Sequence, residues 1–384
     1  MKKVLLIGSS YSALTILKSL KNLKYNVTVC GKNKNEPCHK FANSSIFLDY
    51  SNLKNTKFLD SSLYDYIVPS FNDAAYLFAT KLSEHKKIPG YDSFNLANAI
   101  QKKDLYKKLL EESDIPTLDY IKFYSTDLSV ANIYHSFPAI IKPTNSFSGK
   151  GCVKILNKSN LIKVLKKLKR TSYLIENFFD GSLHSYSAFI KNKKIVKDFY
   201  VDEFTTNFQF QVNCSNSPST LKKNIKVKIK KLIEKFIETH NLADGLFHTQ
   251  FLKKNNKIFL VESMRRGPGD LYNVLIEQSL GYDYTLNYLM PFLGKNYNFK
   301  KLSKTKYLGR YTLDEKKNGD LMSIKLNYSF RKTNFFPLKV VGEDFFYAPN
   351  DKLGIIFVEY NTINEMTKIT PKLDEYFLTE RVLL

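Results

Sequence analysis

Phe137-Pro138-Ala139-Ile140-Ile141-Lys142-Pro143 leads, after Thr144-Asn145, into Ser146-Phe147-Ser148-Gly149-Lys150-Gly151, and this stretch decides how the chain is read. An apolar strand that ends in one lysine places a point charge where phosphate oxygens can gather. The small-residue loop behind it lets backbone N–H groups close over phosphates, and such loops also serve as lids. Each feature has a duller reading. A lysine in a chain with 53 of them is most often solvated, and a glycine-rich loop is most often a hairpin turn. Lys142 stands apart because it closes an apolar strand ahead of a proline and a glycine loop.

Moving outward, further features stand in a fixed order. Upstream, Gln101-Lys102-Lys103-Asp104 lies on a helix expected from 96 to 112, and the thirteen-residue spacing to Pro116 favours Lys103 over Lys102. Downstream, Tyr173-Leu174-Ile175-Glu176-Asn177-Phe178-Phe179 reads as a strand ending in a carboxylate and apolar residues, an adenine slot. There Glu176 is expected to accept from the exocyclic amine and the backbone of Phe178 to read the ring edge. His248-Thr249-Gln250 and Val261-Glu262-Ser263-Met264-Arg265-Arg266 lie on strands expected to form a hairpin around 253–257. Gln250 and Glu262, twelve residues apart, then share one face. Two oxygen donors beside polyphosphate suit Mg²⁺, which keeps water and phosphate in its other positions. Arg265 and Arg266, next to Glu262, are candidates to hold a phosphate or carboxylate. His248 is expected to be a hydrogen-bonded structural histidine.

The first ninety residues alternate strands (4–7, 27–30, 66–69) with helices (13–23, 73–85), the pattern of a small parallel sheet. Gly8 and Ala13 fit a dinucleotide-binding fingerprint, but Ser10 does not. The strand ending at Cys30 is followed by Gly31-Lys32 rather than by a ribose-binding acid. A tight strand–helix turn is the expectation there. Residues 213–219 read as a polar loop and 221–240 as a long helix. From 301 the pattern is mostly strands, with a helix near 363–377.

Composition sets the outer limits. The 384 residues allow two or three domains. No apolar run reaches the ~20 residues of a membrane span, and the apolar run at 4–7 is too short for a signal peptide. The four cysteines are scattered without a CxxC, which fits a reduced cytoplasmic enzyme. A net charge of +23 invites a nucleic-acid partner. Against that, only six of the 59 basic residues are the arginines that read guanine edges. A lysine-coated soluble surface is the first reading, an anionic substrate the second and nucleic acid a distant third.

Taken together, the ordered set resembles the ATP-grasp superfamily, over roughly residues 1–290. The resemblance implies an α/β and α+β chain: a Rossmann-like pre-ATP-grasp domain (1–95), a linker helix and strand (96–125), a lid subdomain (126–190), a catalytic subdomain (191–298) and a small mostly-β C-terminal region (299–384). It implies that Lys103 and Lys142 bind phosphate, with Ser148, Gly149 and Gly151 in the lid loop. Glu176, Asn177, Phe178 and Leu183 line the nucleotide. Gln250 and Glu262 are implied metal ligands, and Arg266, with Arg265 beside it, lies near the transferred phosphate. The implied cofactors are ATP and Mg²⁺ or Mn²⁺. The implied reaction activates a carboxylate as an acyl phosphate and joins it to an amine, releasing ADP and phosphate. Partners are then small molecules, in a chain that is often a homodimer, with no nucleic acid and no membrane.

Three positions depart from the pattern. Gln250 stands where many members have Glu. Met264 stands where Asn is usual, with Asp270 as a nearby substitute. Leu183, beside His184, stands where a ribose-binding Glu is expected. These departures leave open an ATP-binding regulatory protein with impaired catalysis. A basic nucleic-acid-binding protein is the more remote alternative.

Overall fold

Val4, Leu5, Leu6 and Ile7 are all fully buried, as a strand covered on both faces must be. They belong to Lys3–Ile7, the inner strand of a parallel sheet ordered Ser44–Ile46, Asn26–Cys30, Lys3–Ile7, Tyr66–Pro69. Helices Leu14–Asn22 and Asp73–Ser83 follow two of these strands, the second capped by the Asn72 side chain. These coordinates are a computed structural model that describes residues 1–84, 88–146, 149–348 and 350–382.

The single helix expected over 96–112 is two helices, Phe94–Gln101 and Lys103–Glu112. Lys102 between them is extended (φ −94°, ψ 119°), and the Lys103 N–H donates to Thr144 O at 3.3 Å. The second helix therefore starts against the strand that carries Lys142. That strand lies in a four-stranded antiparallel sheet, ordered Tyr120–Tyr124, Ser172–Asn177, Ala139–Pro143, Val153–Ile155. Helix Lys158–Leu165 covers one face of it through Leu161 and Leu165.

The third layer is an eight-stranded antiparallel sheet. Its order is Lys257–Met264, Gly245–Lys254, Ser182–Lys191, Lys194–Phe204, Cys214–Ser217, Tyr307–Leu313, Gly354–Tyr360, Lys332–Pro337. Tyr186, Ala188 and Ile190 pack on one face against Ile225, Ile229, Ile233 and Phe236 of helix Lys223–Thr239. Phe189, Phe199 and Val201 face the other way, into the core shared with the parallel-sheet domain. Along that second face the side chains turn polar, with Ser185, Glu203, Ser215 and Arg310 alternating with the residues behind.

The expected boundaries shift in three places. Ser182–Lys191, grouped with the lid by a boundary at 190, pairs in the large sheet. The polar loop expected at 213–219 contains a fully buried strand, Cys214–Ser217, whose Ser215 bonds Glu203 and Arg310 on the neighbouring strands. Three strands of the C-terminal β-region extend the large sheet, while Gly319–Leu326, Asp344–Phe345 and Phe377–Val382 form a three-stranded sheet of their own. No helix among the described residues is long and apolar enough to cross a membrane.

Candidate active site

Helix Lys103–Glu112 builds the floor of the cleft. Residues three and four apart share a helix face, so Lys103, Tyr106 and Lys107 line up. The Lys103 ammonium donates to Ser146 O at the start of the glycine loop. Lys107 reaches Glu176 Oε2 at 2.7 Å, and Lys142 contacts Glu176 Oε1 from the neighbouring strand. Tyr106, 1% exposed, instead bonds the Ser263 hydroxyl in the large sheet. One helix thus touches both jaws of the cleft.

Glu176 is 2% exposed. Burial alone raises a carboxyl pKa, but Lys142 and then Lys107 outweigh it and hold the group below the usual carboxylate range. Burial pulls the Lys142 ammonium the other way, and Glu176 more than restores it. Each carboxylate oxygen meets one ammonium group and keeps a lone pair, so Glu176 orients two lysines at the strand end where the adenine slot is expected. The Phe178 N–H is likewise committed, to Pro138 O at 2.9 Å, leaving its carbonyl for a ring edge. Asn177 accepts from Tyr134 Oη at 2.8 Å, and the Lys154 ammonium lies 4.0 Å from the Phe178 ring centre.

Gln250 and Glu262 are direct cross-strand partners, next to a register break. Among the described residues, neither side chain makes a hydrogen bond or ion pair. The Glu262 charge nevertheless acts on Lys142, Cys152, Tyr106 and Arg266. Cys152 in turn feels Lys142, Lys103, Glu262 and Glu176, so these four groups surround one cleft. No cluster of three His, Cys, Asp or Glu ligands exists among the described residues. Two unpaired oxygen donors facing lysines therefore fit a Mg²⁺ that takes its remaining ligands from phosphate and water. Asp270, the expected substitute for the missing Asn, is instead ion-paired to Arg310.

The two arginines have different partners. Arg266 makes a bidentate pair with Asp73, at 2.8 and 2.5 Å, close enough to Glu262 to feel its charge. Arg265 is 2% exposed, with Nε on Asp92 at 2.6 Å and its two other nitrogens on the carbonyls of Leu246 and Ala243. Three of its five N–H donors are thus committed inside the protein, and Arg266 is held in the same way, its Nη1 donating to Gly267 O at 2.9 Å. His248 is buried, bonds Ser187 at 2.8 Å, and is pushed down to about 3 by burial and by Arg266. It is a neutral structural group.

The glycine loop closes on the turn at Phe210, between strands Lys194–Phe204 and Cys214–Ser217. Gly149 has φ +67°, and a Cβ there would lie 2.3 Å from Phe210 O, so this close approach requires glycine. At Gly151 a Cβ would meet Pro143 at 2.8 Å. Ser148 lies outside the described residues. Leu183 pairs with Glu203. With Gly181, Thr205, Thr206 and Asp374 these two line a cleft of about 490 Å³.

Sequence reasoning missed Lys107, Glu203 and Arg310. Lys107 was signalled by its four-residue spacing from Lys103. Arg310 was signalled by rarity, one of six arginines and set in the apolar strand Tyr307–Leu313. Arg310, 1% exposed, donates to Ser215 Oγ at 2.6 Å and pairs with Asp270, while its Nε has no partner. Glu203 accepts from Ser185 at 2.7 Å and from Ser215. Burial pushes its carboxyl up to about 7, against the pull of Arg310.

No family model matches the chain. A formate-dependent phosphoribosylglycinamide formyltransferase of Prochlorococcus marinus is 21% identical over 289 residues, 73% of each chain. Among solved structures, an L-amino acid ligase from Bacillus licheniformis superposes with a TM-score of 0.81 at 17% identity, over 100% of this chain and 99% of that one. The biotin carboxylase domain of a Hydrogenobacter thermophilus 2-oxoglutarate carboxylase, a dimer holding MgADP, ADP and bicarbonate, superposes at 0.76 with 14% identity, over 100% of this chain and 91% of that one. With two antiparallel sheets facing a common cleft behind a parallel-sheet domain, the chain has the ATP-grasp fold.

Proposed function

We propose that this chain is an ATP-dependent ligase that activates a carboxylate as an acyl phosphate and joins it to an amine. The observation that carries the reading is the convergence of Lys103, Lys142 and Glu176 with Glu262 around one cleft. In this reading the nucleotide lies between the four-stranded and eight-stranded sheets. Asn177, Phe178 and Leu183 line the base and ribose, and Lys103, Lys142 and Lys107 face the phosphates. Gly149 and Gly151 close over them. Gln250 and Glu262 hold Mg²⁺, which supplies neutralisation of phosphate charge when bound.

The chemistry asks for alignment and charge balance rather than a covalent side chain. A substrate carboxylate oxygen attacks the γ-phosphorus, and the bond to the β-phosphate oxygen breaks to release ADP. Lys142 and Lys103 balance the charge that builds on the phosphate oxygens. Arg266, braced by Asp73, keeps its guanidinium facing the same region. The formate-dependent transferase, the L-amino acid ligase and the bicarbonate-bound carboxylase domain suggest the first carboxylates to try. A dimer is proposed by analogy with the carboxylase domain.

The test is ADP release with ATP and Mg²⁺ against formate, bicarbonate and the common amino acids, each paired with amino-acid amines. Lys142→Ala and Glu262→Ala are expected to lower turnover by about 10²-fold or more. Full turnover in both variants overturns these roles. Mg²⁺-dependent ATP binding with no ADP formed from any pair would instead favour the regulatory reading that Met264 and Leu183 raise.

A further inference from the structure

Resting on the ligase reading, we infer that Glu203 is the general base that receives the amine substrate, in a subsite formed with Asp270 and Arg310 on the large sheet. Three observations carry this.

The first is position. The strand bearing Gln250 pairs with the strand bearing Ser185, and that strand pairs with the one bearing Glu203. Across the sheet, two strand spacings separate Gln250 from Glu203 and three separate Glu262 from it, about 10 and 14 Å. That gap is suited to an acyl phosphate lying between them. Ser185 Oγ, at 2.7 Å from Glu203 Oε1, fixes the carboxylate on this face.

The second is charge. Glu203 and Asp270 flank one guanidinium, that of Arg310. Lys352 adds a positive charge near Asp270 and Asp314 adds a negative one, so the surplus is negative. Such a pocket takes an ammonium better than a second anion.

The third is unmet hydrogen bonding. Arg310 Nε and Asp270 Oδ1 are buried and lack partners, and so are Ser217 Oγ and Thr312 Oγ1. By strand alternation, Ser217 and Thr312 lie on the same face as Ser215 and Arg310. Buried polar atoms without partners are expensive to keep. Ser217 and Thr312 flank the Ser215–Arg310 pair from either side, and donors and acceptors left unmet around one guanidinium mark the place of a polar ligand.

The step balances as follows. An amine arrives as R–NH₃⁺ near neutral pH and gives one proton to the Glu203 carboxylate. The freed lone pair attacks the acyl carbon. The C–N bond forms, the bond from carbon to the phosphate oxygen breaks, and the electron pair leaves with phosphate. The second nitrogen proton goes to that phosphate. The Glu203 carboxyl, raised to about 7, has a basicity matched to this work. The charged groups around it are Arg310, Asp270 and Lys352, with Tyr272 beside Ser185 and Asp374 and Glu375 across the neighbouring cleft.

Hydroxylamine separates the steps, because it is already neutral at about pH 7.5 and needs no base to attack an acyl phosphate. Amide and hydroxamate formation are measured with the carboxylate panel named above, supplying amino-acid amines or hydroxylamine. Glu203→Gln is expected to lose about 10²-fold or more in amide formation and less than about tenfold in hydroxamate formation. The unmodified protein provides a second reading that does not depend on a variant's folding. Its amide rate rises through a limb near pH 7 that the hydroxamate rate lacks. Equal losses in both products together with coincident pH profiles overturn the base role. Hydroxamate with no amide from any amino-acid amine overturns the amine subsite. No hydroxamate at all from the unmodified protein overturns the ligase reading, and this inference with it.

Discussion

Arg265 and Asp92 show how far one residue's role depends on its neighbours. The pair is buried, with Asp92 also accepting from the Ala243 N–H at 2.7 Å. Removing one partner strands the other's charge, so Asp92→Ala is expected to cost about 3–5 kcal/mol in a urea titration. Glu277 gives a pH signature. It is half-buried, accepts from the Thr285 N–H at 2.8 Å, and is pushed up to about 7 by desolvation. The unfolded chain releases that proton near the ordinary value of 4.5, so the stability held by the neutral carboxyl is lost as pH rises from 4.5 to 7. Glu277→Gln is therefore expected to gain in unfolding free energy over the unmodified protein, read from urea titrations as pH goes from about 5 to 8, by up to about 1.4 kcal/mol per pH unit titrated. No pH dependence in that difference would refute the assignment. At this scale the sequence was partly legible. Lys142 was readable because its neighbours are local. Glu203 and Arg310 were not, because Ser215 joins them only through strand pairing between residues about a hundred positions apart.

At the scale of elements, the apolar strands and the metal hairpin were readable from period and turn residues. The polar strand Cys214–Ser217 was not, since it has no apolar alternation and exists because strands on both sides pair with it. The break at Lys102 was also hidden. A continuous helical pattern runs through it, and only the contact of Lys103 with Thr144 O interrupts the helix. The glycine loop supplies the prediction here. Gly149→Ala meets both a left-handed backbone and the Phe210 carbonyl, a strain of about 1–3 kcal/mol. It is expected to raise KM for ATP several-fold while the urea midpoint of the core hardly moves. An unchanged KM would remove the loop from nucleotide binding.

For the whole molecule, the three-layer plan was readable from the order of motifs, but the role of the last eighty residues was not. Tyr307–Leu313 sits beside Cys214–Ser217 in the large sheet and carries Arg310. A chain ending at 298 would expose the buried edge of Cys214–Ser217 and leave Glu203 and Asp270 without their arginine. Such a truncation is expected to lose cooperative unfolding by circular dichroism, and a soluble, cooperatively folding fragment would contradict this. The charge of +23 is spread over lysines along the chain. Retention on DNA or RNA is accordingly expected to vanish at moderate salt, and tight binding persisting there would favour the nucleic-acid alternative.

The large sheet has a further consequence. Gln250, Glu203 and Arg310 all stand on one continuous hydrogen-bonded ladder, whereas Lys142 and Glu176 stand on another sheet. Crystals grown with and without nucleotide should then overlay strand for strand across residues 182–264, and any rearrangement should be a rotation of 120–177 as a block. The spacing between acceptor and cation would be a constant of the molecule, and the grip on the triphosphate its adjustable part.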